Sequence, residues 1–245
     1  MNLNHFDVDA VIVDLDGTMV DTLGDFGVAL NAMLGDLSPP FDRHQVDRAT
    51  VMRLVGKGSE HLIKSVLALV HSAQEAINLR GNEQPAAGRQ SDELAHLYLQ
   101  AWPSYQRHYQ RINGQHAEVY AGVVAGLGYL KARGLKLACL TNKPTAFALA
   151  LLKAKGLDGF FDLTFGGDAF ERKKPDPLPL LKTCEALGSS PQRTLMIGDS
   201  SNDAQAARAA GCPVLLVTYG YNHGEPIRAV DADGFTDSLQ SLIPA

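Results

Sequence analysis

A few polar residues stand where they could do chemistry together. Asp14 and Asp16 lie two residues apart, just after the apolar run Ala10-Val11-Ile12-Val13. Thr141 and Asn142 follow a second run that begins at Leu135. Asp199 and Asp203 follow Thr194-Leu195-Met196-Ile197, and Lys174 falls between the last two clusters. Carboxylates brought to one place repel one another unless a cation lies among them. A hard, all-oxygen donor set favours Mg²⁺ over zinc or copper. A threonine hydroxyl and a lysine ammonium beside it would serve an anionic ligand. Taken singly, each cluster also fits a helix N-cap, for which Asp, Ser, Thr and Asn are preferred. Capping alone leaves unexplained why every cluster follows an apolar run and why the set holds both acids and a cation.

Those runs must be the elements that position the clusters. Ala10–Val13 reads as a strand buried on both faces, as in a parallel sheet. Further strands are predicted at 135–140, 163–165, 194–197 and 213–217, alternating with helical patterns that end near Gly134, Gly156 and Gly211. Strand–helix alternation implies parallel βαβ units and a doubly wound, Rossmann-like α/β core. In such a sheet the carboxyl ends of the strands share one crevice, where ligands bind. Residues 21 to 98 break the alternation with helical patterns only, among them Leu23, Phe26, Leu30, Met33 and Leu34, then Leu62, Ile63, Val66, Leu67 and Val70. They read as an all-α domain inserted after the first strand, with 1–20 and 99–245 forming the core. A polar loop is expected over 81–90, and a long helix from Ser91.

Composition narrows the function classes. The chain has 245 residues, 45% hydrophobic and 20% charged, with a net charge of −5. That is a globular composition, long for one ordinary domain and short for two. A mildly acidic chain is a poor partner for nucleic acid or an anionic membrane. No apolar run approaches the ~20 residues of a membrane span, and no signal pattern opens the sequence. Cys139, Cys184 and Cys212 form no CxxC pair, and the eight histidines show no HExxH spacing. These features imply reduced thiols, no zinc site and a cytoplasmic location.

Asp14-Leu15-Asp16-Gly17-Thr18, Thr141-Asn142, Lys174-Pro175 and Gly198-Asp199-Ser200-Ser201-Asn202-Asp203 resemble, in order and spacing, the four motifs of the haloacid dehalogenase-like phosphatases. The resemblance covers nearly the whole chain, and the helical insert is similar to that superfamily's cap. Within the superfamily the chain most resembles the bacterial phosphoglycolate phosphatases. The segments that carry this are Leu54-Val55-Gly56-Lys57-Gly58, His108-Tyr109, Leu140-Thr141-Asn142-Lys143-Pro144 and Tyr219-Gly220-Tyr221-Asn222.

The resemblance implies a role for each residue. Asp14 would attack phosphorus to give an aspartyl-phosphate. Asp16 would protonate the leaving oxygen and then deprotonate the hydrolytic water. The Asp14 carboxylate, the Asp16 backbone carbonyl and Asp199 would hold Mg²⁺, and Asp203 would orient a metal-bound water or Lys174. Thr141 and the Asn142 backbone N–H would bind phosphoryl oxygens, and Lys174 would supply a charge to the phosphate and Asp14. The substrate would be a small phosphorylated metabolite, most simply 2-phosphoglycolate. Gly56-Lys57-Gly58 would bring backbone amides close to it, with Lys57 pairing with its carboxylate. A Gly-terminated helix with an exposed lysine is the plain alternative for that loop.

Other activities compete. A sugar-phosphate phosphatase or phosphomutase keeps the same core. A phosphonate hydrolase would use a cap lysine but not Asp16, and a dehalogenase has no use for the acidic cluster. A phosphoacceptor signalling domain shares acidic strand tips but needs neither the insert nor Asp16. No GxGxxG follows the first strand, which argues against a dinucleotide-binding module.

Overall fold

A computed structural model describes residues 6–80 and 89–244. Its centre is a six-stranded sheet in the order β5-β4-β1-β6-β7-β8. The strands are β1 (Ala10–Val13), β4 (Lys136–Leu140), β5 (Leu163–Phe165), β6 (Thr194–Gly198), β7 (Val214–Val217) and β8 (Gly234–Thr236), and every pairing is parallel. The first strand in the chain lies in the middle, so the connections run outward to either side of it. The expected doubly wound α/β sheet is therefore present. β8 went unread in the sequence, since Gly-Phe-Thr at a sheet edge carries no apolar run.

Alternation along the strands divides the core in two. Val11, Val13, Leu137, Cys139, Leu195, Ile197, Leu215 and Val217 pack on one face, together with α5 (Val123–Ala132) and α6 (Thr145–Ala154). Ala10, Ile12, Ala138, Leu140, Met196, Val214 and Leu216 pack on the other, against α7 (Leu178–Leu187) and α8 (Ser201–Ala210). Both faces of β1 are buried, which explains its uninterrupted apolar sequence. The three cysteines are buried and free. No described helix is long and apolar enough to cross a membrane.

Between β1 and α5 the chain forms a helical insert of α1 (Leu23–Gly35), α2 (Arg48–Leu54), α3 (Ser59–Arg80) and α4 (Arg89–Ile112). The insert has its own apolar cluster, with Phe26, Leu30, Met33, Ile63, Leu67, Tyr105 and Tyr109 buried in it. Residue 98, where the sequence pattern ends the insert, lies inside α4, and Ala101, Tyr105 and Tyr109 beyond it belong to the same cluster. Most of the loop expected over 81–90 lies outside the described residues, and α4 begins at Arg89. A two-stranded antiparallel ribbon, β2 (Val20–Asp21) and β3 (Glu118–Val119), joins the chain's entry into the insert to its exit.

A second tie reinforces that ribbon. Asp25, fully buried on α1, accepts the backbone N–H groups of Gly114 at 2.6 Å and His116 at 2.7 Å. Removing the carboxylate leaves two amides without an acceptor. Asp25→Ala should lower the unfolding free energy by about 2 to 4 kcal/mol. Urea denaturation should show this as a lower midpoint at unchanged slope.

Candidate active site

The tips of β1, β4 and β6 meet at one point. Asp14 follows β1, Thr141 follows β4, and Asp199 follows β6. Lys174 reaches them from the turn before α7. Its buried ammonium donates to Asp14 Oδ1 at 2.8 Å, Asp203 Oδ1 at 2.7 Å and the Leu140 carbonyl at 2.8 Å. All three of its N–H donors are thereby used. Burial works against the ammonium charge, but Asp14 and Asp203 outweigh it and hold Lys174 above the usual lysine range.

The acids feel the opposite balance. Burial pushes the Asp14 carboxyl up to about 7 against the pull of Lys174, with Asp203 and Asp16 adding to the rise. Burial, then the charges of Asp203 and Asp14, hold Asp199 well above the usual carboxylate range. One ligand oxygen from each of Asp14, Asp199 and Asp203 lies within 4.8 Å of the others. Hard oxygen donors with an excess of negative charge fit a divalent cation of the Mg²⁺ type. Asp203 is already engaged. Its Oδ2 accepts the backbone N–H groups of Asp199 and Ser200, both at 3.2 Å, and the Ser200 hydroxyl at 2.8 Å. The same side chain therefore caps α8 through Oδ2 and holds the Lys174 ammonium through Oδ1.

Close packing around Asp199 explains two glycines. A Cβ on Gly17, whose φ is +84°, would stand 2.2 Å from Asp199 Oδ2, and one on Gly220 would stand 2.2 Å from Asp199 Cβ. Asp199 Oδ2 accepts the Tyr221 backbone N–H at 2.7 Å. The Tyr221 hydroxyl accepts the Thr22 N–H at 2.8 Å and donates to Asp21 Oδ1 at 3.0 Å. Tyr221 thus links the acidic cluster to the start of the insert.

Thr141 is buried, and its Oγ1 accepts the Lys143 backbone N–H at 3.2 Å, leaving the hydroxyl hydrogen to donate elsewhere. Asp16 Oδ1 accepts from Thr22 Oγ1 and from Lys143 Nζ, both at 2.8 Å. The Asn142 side chain bridges core and insert. Its Nδ2 donates to the Gly56 carbonyl at 3.0 Å and the Lys174 carbonyl at 2.8 Å, while its Oδ1 accepts the Lys174 N–H at 3.0 Å. Asn202 Nδ2 also donates to the Gly56 carbonyl, at 3.3 Å.

These residues line one cavity, closed on the insert side by Phe26, Val55, Gly56, Gly58, Ser59 and Leu62. Asp14, Asp16, Thr141, Asn142, Lys174, Asp199 and Asp203 all line it, as do Gly56 and Gly58. Lys57 is exposed and is not among the lining residues. Lys143, Tyr221, Asn202 and His223 line the cavity without having been singled out in the sequence. Lys143, Asn202 and Tyr221 do fall in motif-bearing segments, but nothing in a linear string distinguishes a buried lysine from a solvated one.

A family model of haloacid dehalogenase-like hydrolases matches residues 8–211. The chain belongs to the haloacid dehalogenase-like hydrolases. Among relatives in this family, a phosphoglycolate phosphatase of Thiobacillus denitrificans is 41% identical over 95% of this chain and 92% of its own. One of Escherichia coli O157:H7 is 36% identical over 98% and 92%. A crystal structure described as a predicted phosphoglycolate phosphatase from Haemophilus somnus superposes with a TM-score of 0.83, at 29% identity, over 96% of each chain.

Lys174 supplies the counter-charge between Asp14 and Asp203. Lys174→Met leaves Asp14 and Asp203 facing each other without a counter-charge. Without added divalent cations, the unfolding free energy should fall by about 3 to 5 kcal/mol near pH ~8. The deficit should shrink toward pH ~5. A carboxyl whose pKa is raised by folding favours the fold at low pH, and that support is lost as pH rises through the folded-state value. A deficit of constant size across this range would contradict the assignment.

Proposed function

We propose that the protein hydrolyses 2-phosphoglycolate to glycolate and phosphate, using Mg²⁺ and an aspartyl-phosphate at Asp14, in the cytoplasm. The broad class stands on the family and the relatives: the chain is a phosphoric monoester hydrolase. The observation that carries the mechanism is the convergence of Asp14, Asp16, Thr141 and Lys174 on one enclosed cavity beside Asp199. The relatives named phosphoglycolate phosphatase support the substrate.

Asp14 Oδ1 is held by Lys174, which fixes the carboxylate at the head of β1 for attack on phosphorus. Thr141 has a hydroxyl hydrogen to give to a phosphoryl oxygen, and Lys174 adds positive charge where the five-coordinate species carries negative charge. Asp16, held through Oδ1, would give a proton from its other oxygen to the leaving alkoxide as the ester P–O bond breaks, and would then take a proton from the water that attacks phosphorus and frees Asp14. Asp14, Asp199 and the Asp16 carbonyl would hold Mg²⁺, which lowers the repulsion between an anionic nucleophile and an anionic phosphate. Asp203 keeps Lys174 in place. The helical insert acts as the cap, from the β2 entry to the β3 exit, and excludes water when Asn142 and Asn202 hold the Gly56 carbonyl.

A phosphate-release screen over 2-phosphoglycolate, sugar phosphates and pyrophosphate, with and without Mg²⁺, tests the reading. Phosphoglycolate should give the highest kcat/KM, and chelation should abolish turnover reversibly. Asp14→Asn should reduce kcat by at least about 10⁴-fold, with the circular dichroism spectrum unchanged. Near-normal turnover in that variant, or a sugar phosphate as the preferred ester, would overturn the nucleophile or the substrate assignment respectively.

A further inference from the structure

The cavity contains two buried lysines, and their circumstances differ. Lys174 uses every N–H donor on protein acceptors. Lys143 is equally buried, yet its ammonium has one hydrogen-bond acceptor among the described residues, Asp16 Oδ1 at 2.8 Å. Two aromatic rings of the insert flank it, Phe26 with its centroid at 4.5 Å and Tyr109 at 4.9 Å. Rings favour a nearby cation but satisfy its donors poorly. A buried ammonium with two N–H groups free of acceptors, lining a cavity, is suited to receive an anion.

We propose that Lys143 binds the carboxylate of the leaving group and so selects phosphate esters of small hydroxy acids. The inference rests on the phosphatase reading above and names the group that recognises the non-phosphoryl half of the substrate. Position supports it. Asp16 must reach the ester oxygen, and Lys143 stands 2.8 Å from Asp16. In a phosphorylated 2-hydroxy acid the carboxylate carbon is two bonds from that ester oxygen, so a leaving group reached by Asp16 sets its carboxylate beside Lys143. Phe26, Val55 and Leu62 line the insert side of the cavity and offer an anion no competing charge. Lys57 is exposed and outside the cavity lining, which leaves Lys143, among the described residues, as the cavity-lining lysine with donors to spare. An ester with a neutral leaving group fails to use those donors and forfeits a charge-assisted contact.

The test compares 2-phosphoglycolate with 2-hydroxyethyl phosphate, in which a neutral CH₂OH replaces the carboxylate. The wild type should prefer phosphoglycolate. Lys143→Met should cut that preference, as a ratio of kcat/KM values, at least about tenfold, mostly through KM, and Lys143→Arg should retain part of it. Equal losses on the two esters would show that Lys143 serves only to position Asp16, and would overturn the proposal while leaving the phosphatase reading intact. Failure of the wild type on phosphoglycolate alongside turnover of other esters would overturn the Lys143 proposal and the phosphoglycolate assignment together, while the protein would stand as a phosphatase of different substrate. A measurement on the wild type removes dependence on the variant's folding: glycolate should inhibit competitively and ethylene glycol should not. Equal inhibition by the two, or none by either, counts against the carboxylate subsite.

Discussion

The constraint on which the site depends is the crowding of carboxylates at the buried end of a parallel sheet. Asp14, Asp199 and Asp203 are each less than a tenth exposed, and burial and the neighbouring acids oppose the charges of Asp14 and Asp199. Lys174 relieves part of that opposition by binding Asp14, Asp203 and the end of β4 together. The ion cluster therefore ties the tips of three strands, and the remaining negative charge is what suits the site to a divalent cation.

Other features follow from that crowding. Gly17 and Gly220 leave room where a methyl group would meet Asp199. Asp203 has both oxygens occupied, one by Lys174 and the other by the start of α8, so the helix that begins there also fixes the lysine. Tyr221 carries the linkage onward, from Asp199 to Thr22 at the mouth of the insert. The insert in turn reaches back to the core through the Gly56 carbonyl and through Phe26 and Tyr109, whose rings flank Lys143. Closure of the insert and arrangement of the charged groups are in this way one set of contacts.

The sequence made much of this legible. A strand buried on both faces must be apolar throughout, so β1, β4, β6 and β7 stood out. Polar residues that follow such strands share the carboxyl edge of a doubly wound sheet, so Asp14, Thr141 and Asp199 could be placed together. The short elements were hidden. β2, β3 and β8 have two or three residues each, too few for a period to show. The chain's return from the insert was also hidden, because α4 runs through residue 98 and packs against both neighbours with one continuous apolar face.

By itself, then, the sequence determined the doubly wound sheet and set Asp14 and Asp199 directly after two of its strands, with Lys174 ahead of a helix. These depend on local pattern and on spacing, which a linear string preserves. The tertiary structure alone decided which lysine faces the cavity. Lys57 sits between two glycines and invites a binding role, yet it is exposed. Lys143 looks like an ordinary residue after a motif, yet it is buried against Asp16 and two rings. Burial and pairing of a long charged side chain arise from residues far apart in the chain, here Asp16, Phe26 and Tyr109, so only the folded chain determines them.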